Sequence, residues 1–153
     1  MPRLLMLVEF SDQATPPEGE PPSLTVHGES TRVVSFEGDV PERAAFDSSV
    51  TMTGESAFDE RGAMTFGNEQ DRIRFSTMGE GYLGPSPEEG LLEGSVIWRV
   101  EEGGGRFAGA TGLITSNFVL RAETGDVAEK QVISLVPSVN GSEAPRGAPL
   151  NLV

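Results

Sequence analysis

Chemistry in this chain has to be argued from a few polar residues set in apolar surroundings. Glu9 ends the run Leu4-Leu5-Met6-Leu7-Val8. Turned into a protein interior, a carboxyl there loses solvation, its pKa rises and it becomes a general acid or base; at a solvated rim it is an ordinary strand-end acid. Arg99 follows Trp98, and Arg72 and Arg74 share one face of an earlier segment. An inward guanidinium would bind a carboxylate or enolate through paired hydrogen bonds, whereas an outward one pairs with Glu93 or Glu101 across a sheet. Glu9 and Arg99 are the candidate catalytic groups. Tyr82 and Trp98, each the sole residue of its kind, suit pocket walls with a polar edge as well as plain core packing. Asn117, between Ser116 and Phe118, could donate to a ligand carbonyl or satisfy a nearby bulge. These three are the candidate substrate contacts.

Other chemistries have less to stand on. His27, the single histidine, lies between Val26 and Gly28; one imidazole can move a proton near neutral pH, but without a second it is a poor metal ligand, and a surface strand histidine is the ordinary alternative. The acidic groups Glu18-Gly19-Glu20, Asp59-Glu60 and Glu88-Glu89 lack the spaced oxygens of a calcium loop and read as solvated turns. There is no Gly-x-Ser-x-Gly elbow, no phosphate loop ending in Gly-Lys-Ser/Thr and no His-Glu-x-x-His. The triple glycine at 103–105 precedes no helical pattern, so it is not a nucleotide loop. Neither a metal nor an organic cofactor is expected.

Length and charge bound the rest. The chain has 153 residues, which is one domain by size, expected over 1–137 with a C-terminal tail over 138–153. It has no cysteine, which removes disulfides, thiolate metal sites and cysteine nucleophiles. Twenty-four acids against eleven Lys+Arg give a net charge of −13, which opposes nucleic acid and anionic membranes as partners. Met1 to Phe10 has the charge and apolar run of a signal peptide, but Glu9 interrupts it and no small-residue cleavage site follows, so a first strand and a cytoplasmic protein are expected. No run is long enough to span a membrane as a helix.

The elements that must position these residues are strands. Residues 3–10 form the first, and Ser11 to Pro22, with four prolines and Gly19, a solvated loop. Leu24 to Glu37 is a long strand with a bulge at Gly28; Arg43-Ala44-Ala45-Phe46 behind Pro41 is the one expected helical turn. Ser48 to Gly54 alternates, Asp59-Glu60-Arg61-Gly62 turns, and Ala63 to Phe66 is short. Asp71 to Met78 alternates and continues through glycines toward Tyr82. Leu91 to Glu101 puts Leu92, Gly94, Val96, Trp98 and Val100 on one face and Arg99 on the other, so Trp98 and Arg99 cannot both line one cavity. Leu113 to Ala122 and Val127 to Val136 follow. About eight strands joined by hairpin-length turns predict an all-β, eight-stranded antiparallel up-and-down barrel.

Between two of the longest strands lies Gly103-Gly104-Gly105-Arg106-Phe107-Ala108-Gly109-Ala110-Thr111-Gly112, five glycines in ten residues around one large apolar side chain. The part from Gly105 to Gly112 resembles the glycine-rich turn near the C-terminal end of the allene oxide cyclase and dirigent-like barrels and of their uncharacterised bacterial relatives. The resemblance implies an eight-stranded barrel with a largely apolar interior, assembled as a homo-oligomer, a dimer or trimer. It also implies a small apolar, polyketide-like or lipid-like ligand. The family's catalytic residues sit on early strands, where this chain has no matching motif, so none is carried over. Two functions follow as expectations: a cofactor-independent cyclase, isomerase or lyase, or a barrel that binds or steers a ligand without chemistry of its own. A buried acid of raised pKa facing a cavity would favour the first.

Overall fold

A computed structural model describes residues 3–138. It holds nine strands: β1 (Leu4–Ala14), β2 (Ser23–Glu37), β3 (Ala45–Met52), β4 (Ala57–Thr65), β5 (Arg72–Thr77), β6 (Gly81–Pro85), β7 (Leu91–Gly104), β8 (Thr111–Arg121) and β9 (Asp126–Val136). β5 and β6 both run antiparallel to β7, β5 against Trp98 to Gly104 and β6 against Leu92 to Ser95. They are two halves of one strand, broken at Met78 to Glu80, where Gly79 has a positive φ. Counted so, eight strands close into an antiparallel barrel in up-and-down order, with β1 pairing β9 and β3 pairing β4. Closure gives each strand a partner on both sides over part of its length, while β2 from Thr31 to Glu37 is paired with β1 alone. Of the tail expected over 138–153, residues 139–153 lie outside the described residues.

Alternation explains which side chains go in. Along β1, Leu4, Met6, Val8, Phe10, Asp12 and Ala14 are buried in strict period two, and along β9 Val127, Glu129, Gln131, Ile133 and Leu135 are. The barrel has two unlike ends. At the one where β1 begins, Leu4, Met6, Ile73, Phe75, Trp98, Ile114, Ile133 and Leu135 fill the interior. Trp98 stacks on Phe75 at 3.9 Å between ring centroids and meets Phe46 edge-on at 5.7 Å.

The glycine decamer stoppers this packed end. β7 runs on to Gly104, a single 3₁₀ turn spans Gly105–Phe107, and the chain re-enters at Thr111. Gly105 and Gly109 take φ of 58° and 76°, which glycine adopts without steric cost. Phe107 is thereby thrown inward against Phe66 at 4.9 Å and is fully buried. Asp71 fastens the turn by accepting from the Arg106 backbone N–H at 2.9 Å, and that bond holds its carboxyl below the usual carboxylate range.

Several local expectations change. The residues 43–46 are not helical: Ala44 exchanges bonds with Ser30, and β3 starts at Ala45, because the ladder with β2 places Phe46 in the core. Asp59 to Gly62 is mid-strand in β4, not a turn. β1 continues past Phe10 to Ala14, since β9 offers a ladder as far as Asp126. The bulges in β2 fall at Thr31, where Glu9 faces Arg32 and Phe10 faces Ser30, and at Phe36, where Leu5 faces Glu37 and Met6 faces Ser35, and not at Gly28. A Cβ on Gly28 would stand 2.3 Å from Asp12 Oδ1 and 2.4 Å from the Phe46 ring. That glycine makes room for a buried carboxyl.

Candidate functional site

Between the packed half of the barrel and its opposite, open end lies a layer of buried polar side chains: Asp12 from β1, Ser48 from β3, Glu60 from β4, Thr77 from β5, Ser116 from β8, and Glu129 and Gln131 from β9. Asp12 is 4% exposed and Glu60 and Glu129 are each 6% exposed. Acids this buried need partners. Ser48 Oγ donates to Glu60 Oε2 at 2.6 Å. Thr77 Oγ1 anchors the backbone beneath, accepting from the Glu60 N–H at 2.7 Å and donating to its carbonyl at 2.8 Å. Glu129 Oε2 accepts from Ser116 Oγ and, at 3.0 Å, from Gln131 Nε2.

Asp12 is different. No N–H or O–H group of the described residues reaches either of its oxygens. The polar group beside it is the Glu129 carboxyl, and two carboxyls bond only when one holds a proton. Burial first, then Glu129 and the more distant charge of Glu60, drive the Asp12 pKa far above its ordinary value, so Asp12 carries that proton. Glu60 is pushed up to about 8, by burial and then by Glu129, against the opposing pull of Ser48 and of the indole of Trp98. All Arg, Lys and His side chains among the described residues are exposed, so none of these cations enters the barrel to offset the acids.

Above the carboxyls a cavity of about 60 Å³ opens toward the end where β1 finishes. Asp12, Glu60 and Glu129 form its floor; Ala14, Val50, Phe58 and Val127 are its inner walls, and the half-exposed Leu24, Val26, Met52, Leu83, Phe118 and Leu120 its mouth. Phe58 and Phe118 meet edge-on at 6.0 Å across it. The volume holds a few water molecules or the end of a small organic molecule, below the roughly 300 Å³ of a pocket that swallows a whole ligand. A protonated acid beside a hydrogen-bonded carboxyl, in an apolar funnel, can give a proton and take one back.

The residues singled out from the sequence lie elsewhere. Glu9 faces outward on β1, 3.9 Å from Arg32, so it is not the interior acid. Arg99 is exposed and faces outward, and its partner Glu101, at 3.8 Å, lies along the same strand rather than across the sheet. Arg74 pairs with Glu102 at 3.4 Å. Tyr82 is 49% exposed and lies over Gly84, and Asn117 is exposed between Ser95 and Lys130 on the flanking strands. Glu9, Tyr82 and Asn117 do come together, along an open outer groove that Lys130 and Glu93 also line. Trp98 is fully buried in the core beneath the cavity, reaching the site only through its indole edge near Glu60. His27 is on the outer surface, 2.8 Å from Asp47 and 3.6 Å from Glu29, which together raise its pKa.

Asp12, Glu60 and Glu129 were missed for identifiable reasons. Asp12 stands in a segment that reads as loop and Glu60 in one that reads as a turn. Glu129 left a signal: it shares the period-two face of Val127, Ile133 and Leu135, where an acid is out of place. No group of three or more His, Cys, Asp or Glu side chains among the described residues is placed to hold a metal ion. Comparison with family models, with characterised proteins and with solved structures gave no match.

Proposed function

We propose that this barrel is a cofactor-independent acid–base catalyst of the isomerase, cyclase or lyase kind, acting on a small, largely apolar molecule whose reactive end enters the open mouth. The observation that carries the reading is the carboxyl floor: Asp12 and Glu60, kept protonated by burial, under apolar walls. Asp12 or Glu60 gives its proton to a carbonyl, epoxide or hydroxyl oxygen of the substrate. Glu129, oriented by Ser116 and Gln131, takes a proton from the neighbouring atom. Proton transfer by positioned groups is worth about 10²–10⁴-fold, and holding a flexible apolar molecule out of water adds to it. The reading agrees with the kinship proposed for the Gly105 to Gly112 turn with allene oxide cyclase and dirigent-like barrels. The small cavity volume favours a second reading, a binding or steering barrel that grips one end of a ligand without altering it.

Proton transfer can be tested without the true substrate. In deuterated water, the wild-type protein should speed exchange of the α-protons of a small cyclic ketone, followed by NMR. Asp12→Asn and Glu60→Gln should each lower that rate by roughly 10²-fold, while Glu9→Gln and Arg99→Ala keep it. Ketone that binds with no acceleration of exchange would leave the binding reading and remove the catalytic one.

A further inference from the structure

The layer that holds Asp12, Glu60 and Glu129 has no countercharge from the described residues, whose Arg, Lys and His side chains are all exposed. We propose that the open-end cavity binds an organic ammonium, a protonated amine with an apolar substituent, its head lodged among Asp12, Glu60 and Glu129 and its body lying along Phe118, Leu120 and Val127. The proposal rests on the reading of this cavity as a ligand site and names the class of ligand.

Six observations carry it. Asp12 is buried, faces the cavity and has no donor from the described residues on either oxygen, so it has acceptor capacity that only a proton or a ligand can use. The groups facing Glu60 are Asp12 from β1, Glu129 from β9, Ser48 from β3, Thr77 from β5 and the Trp98 indole from β7, with Asp59 next along its own strand; none is cationic. The walls are apolar apart from these acids, and no group is placed to hold a metal ion among the described residues, so a hydrated inorganic cation gains little where an alkyl or aryl ammonium gains both charge pairing and apolar burial. The rings of Phe58 and Phe118 at the wall suit a soft cation. A volume of about 60 Å³ takes the ammonium head and leaves the substituent in the mouth. The net charge of −13 draws cations to the surface and repels carboxylate or phosphate ligands.

Binding must then expel a proton. An ammonium beside Glu60 or Asp12 favours the carboxylate, so each R–NH₃⁺ that enters displaces about one carboxyl proton to solvent. The test is calorimetric titration of the full chain with n-butylammonium and with 1-butanol, its neutral counterpart, in phosphate and in HEPES, whose different ionisation heats count the protons released. Butylammonium should bind with release of about one proton, its Kd falling roughly tenfold per pH unit between about pH 6 and pH 8. The double variant Asp12→Asn, Glu60→Gln should weaken it by roughly tenfold or more, and Glu9→Gln, which removes an outer charge only, should not. Asn and Gln keep the shape of the neutral acids, and a cooperative thermal transition verifies the fold of each variant. Equal binding of butanol and butylammonium without proton release would overturn the ammonium proposal and leave the cavity reading standing. Ammonium binding unchanged in the double variant would assign it to the acidic surface and overturn the proposal. Binding of neither molecule would overturn both.

Discussion

Two acids inside the barrel, Asp12 and Glu60, make stability depend on pH. Glu60 has an ordinary value of 4.5 and is held at about 8 when folded. A group whose folded pKa is raised contributes stability that is full below the unfolded value and is lost as pH climbs through the folded one. Asp12 acts in the same direction from 3.8 upward. Stability should therefore fall as pH rises from about 5 to about 8, at most about 1.4 kcal/mol per pH unit for each group. Asp12→Asn with Glu60→Gln should be more stable than wild type at pH 8 by about 1–3 kcal/mol and should lose that advantage toward pH 4. Urea unfolding across the range reads this directly, and an advantage that is the same at both ends would refute it. Outside the barrel the expectation reverses: Arg99→Ala and Glu9→Ala should each change stability by less than about 0.5 kcal/mol, because their ion pairs are solvated. These placements also explain what could be read in advance. A residue on an alternating strand is assigned to a face only relative to its neighbours, so Trp98 and Arg99 were separable, and the register that sends Glu9 out and Asp12 in is fixed by the β9 ladder, a partner 115 or more residues away that a local window does not contain.

At the level of elements, strand count and turn chemistry were legible because a barrel repeats one pattern, apolar in and polar out, eight times. The face of β7 follows from its alternation alone, whereas the fifth strand, expected to continue through the glycines toward Tyr82, is broken by them into β5 and β6. What local pattern could not supply was where pairing outruns propensity. Residues 43–46 and 59–62 look like a helical turn and a β-turn in isolation, yet Ala45 and Phe46 are drawn into β3 by ladders with β2 and β4, and 59–62 into β4 by its ladder with β3, joined by β5 at Arg61 and Gly62. The glycine decamer was legible as a turn, and its structural consequence is the stopper. Phe107 fills the end of the core against Phe66, and Gly103 allows the close return of the chain, since a Cβ there would stand 2.0 Å from the Phe107 carbonyl oxygen. Phe107→Ala should cost about 3–5 kcal/mol, as for other fully buried aromatic side chains. Chemical denaturation should find the loss in the midpoint with an unchanged m-value. A loss under about 1 kcal/mol would mean that Phe107 is dispensable to the packed end.

For the molecule as a whole, two sources of acid-dependent stability must be separated. Twenty-four acids against eleven Lys+Arg repel one another across the surface, and that repulsion also grows as pH rises. Surface repulsion acts through water and is screened within a Debye length of about 8–10 Å at ordinary ionic strength. Desolvation of Asp12 and Glu60 is a property of the interior and is screened far less. Raising salt from low to about half-molar at pH 8 should therefore stabilise wild type and the Asp12→Asn, Glu60→Gln variant by similar amounts. The gap between the two proteins should remain within about 0.5 kcal/mol. If that gap instead closes with salt, the advantage of the variant comes from lowering the net charge, and the buried carboxyls are not under the strain that their burial and mutual proximity imply. If it persists, the energy that a ligand cation would relieve is located inside the barrel, beneath its apolar mouth.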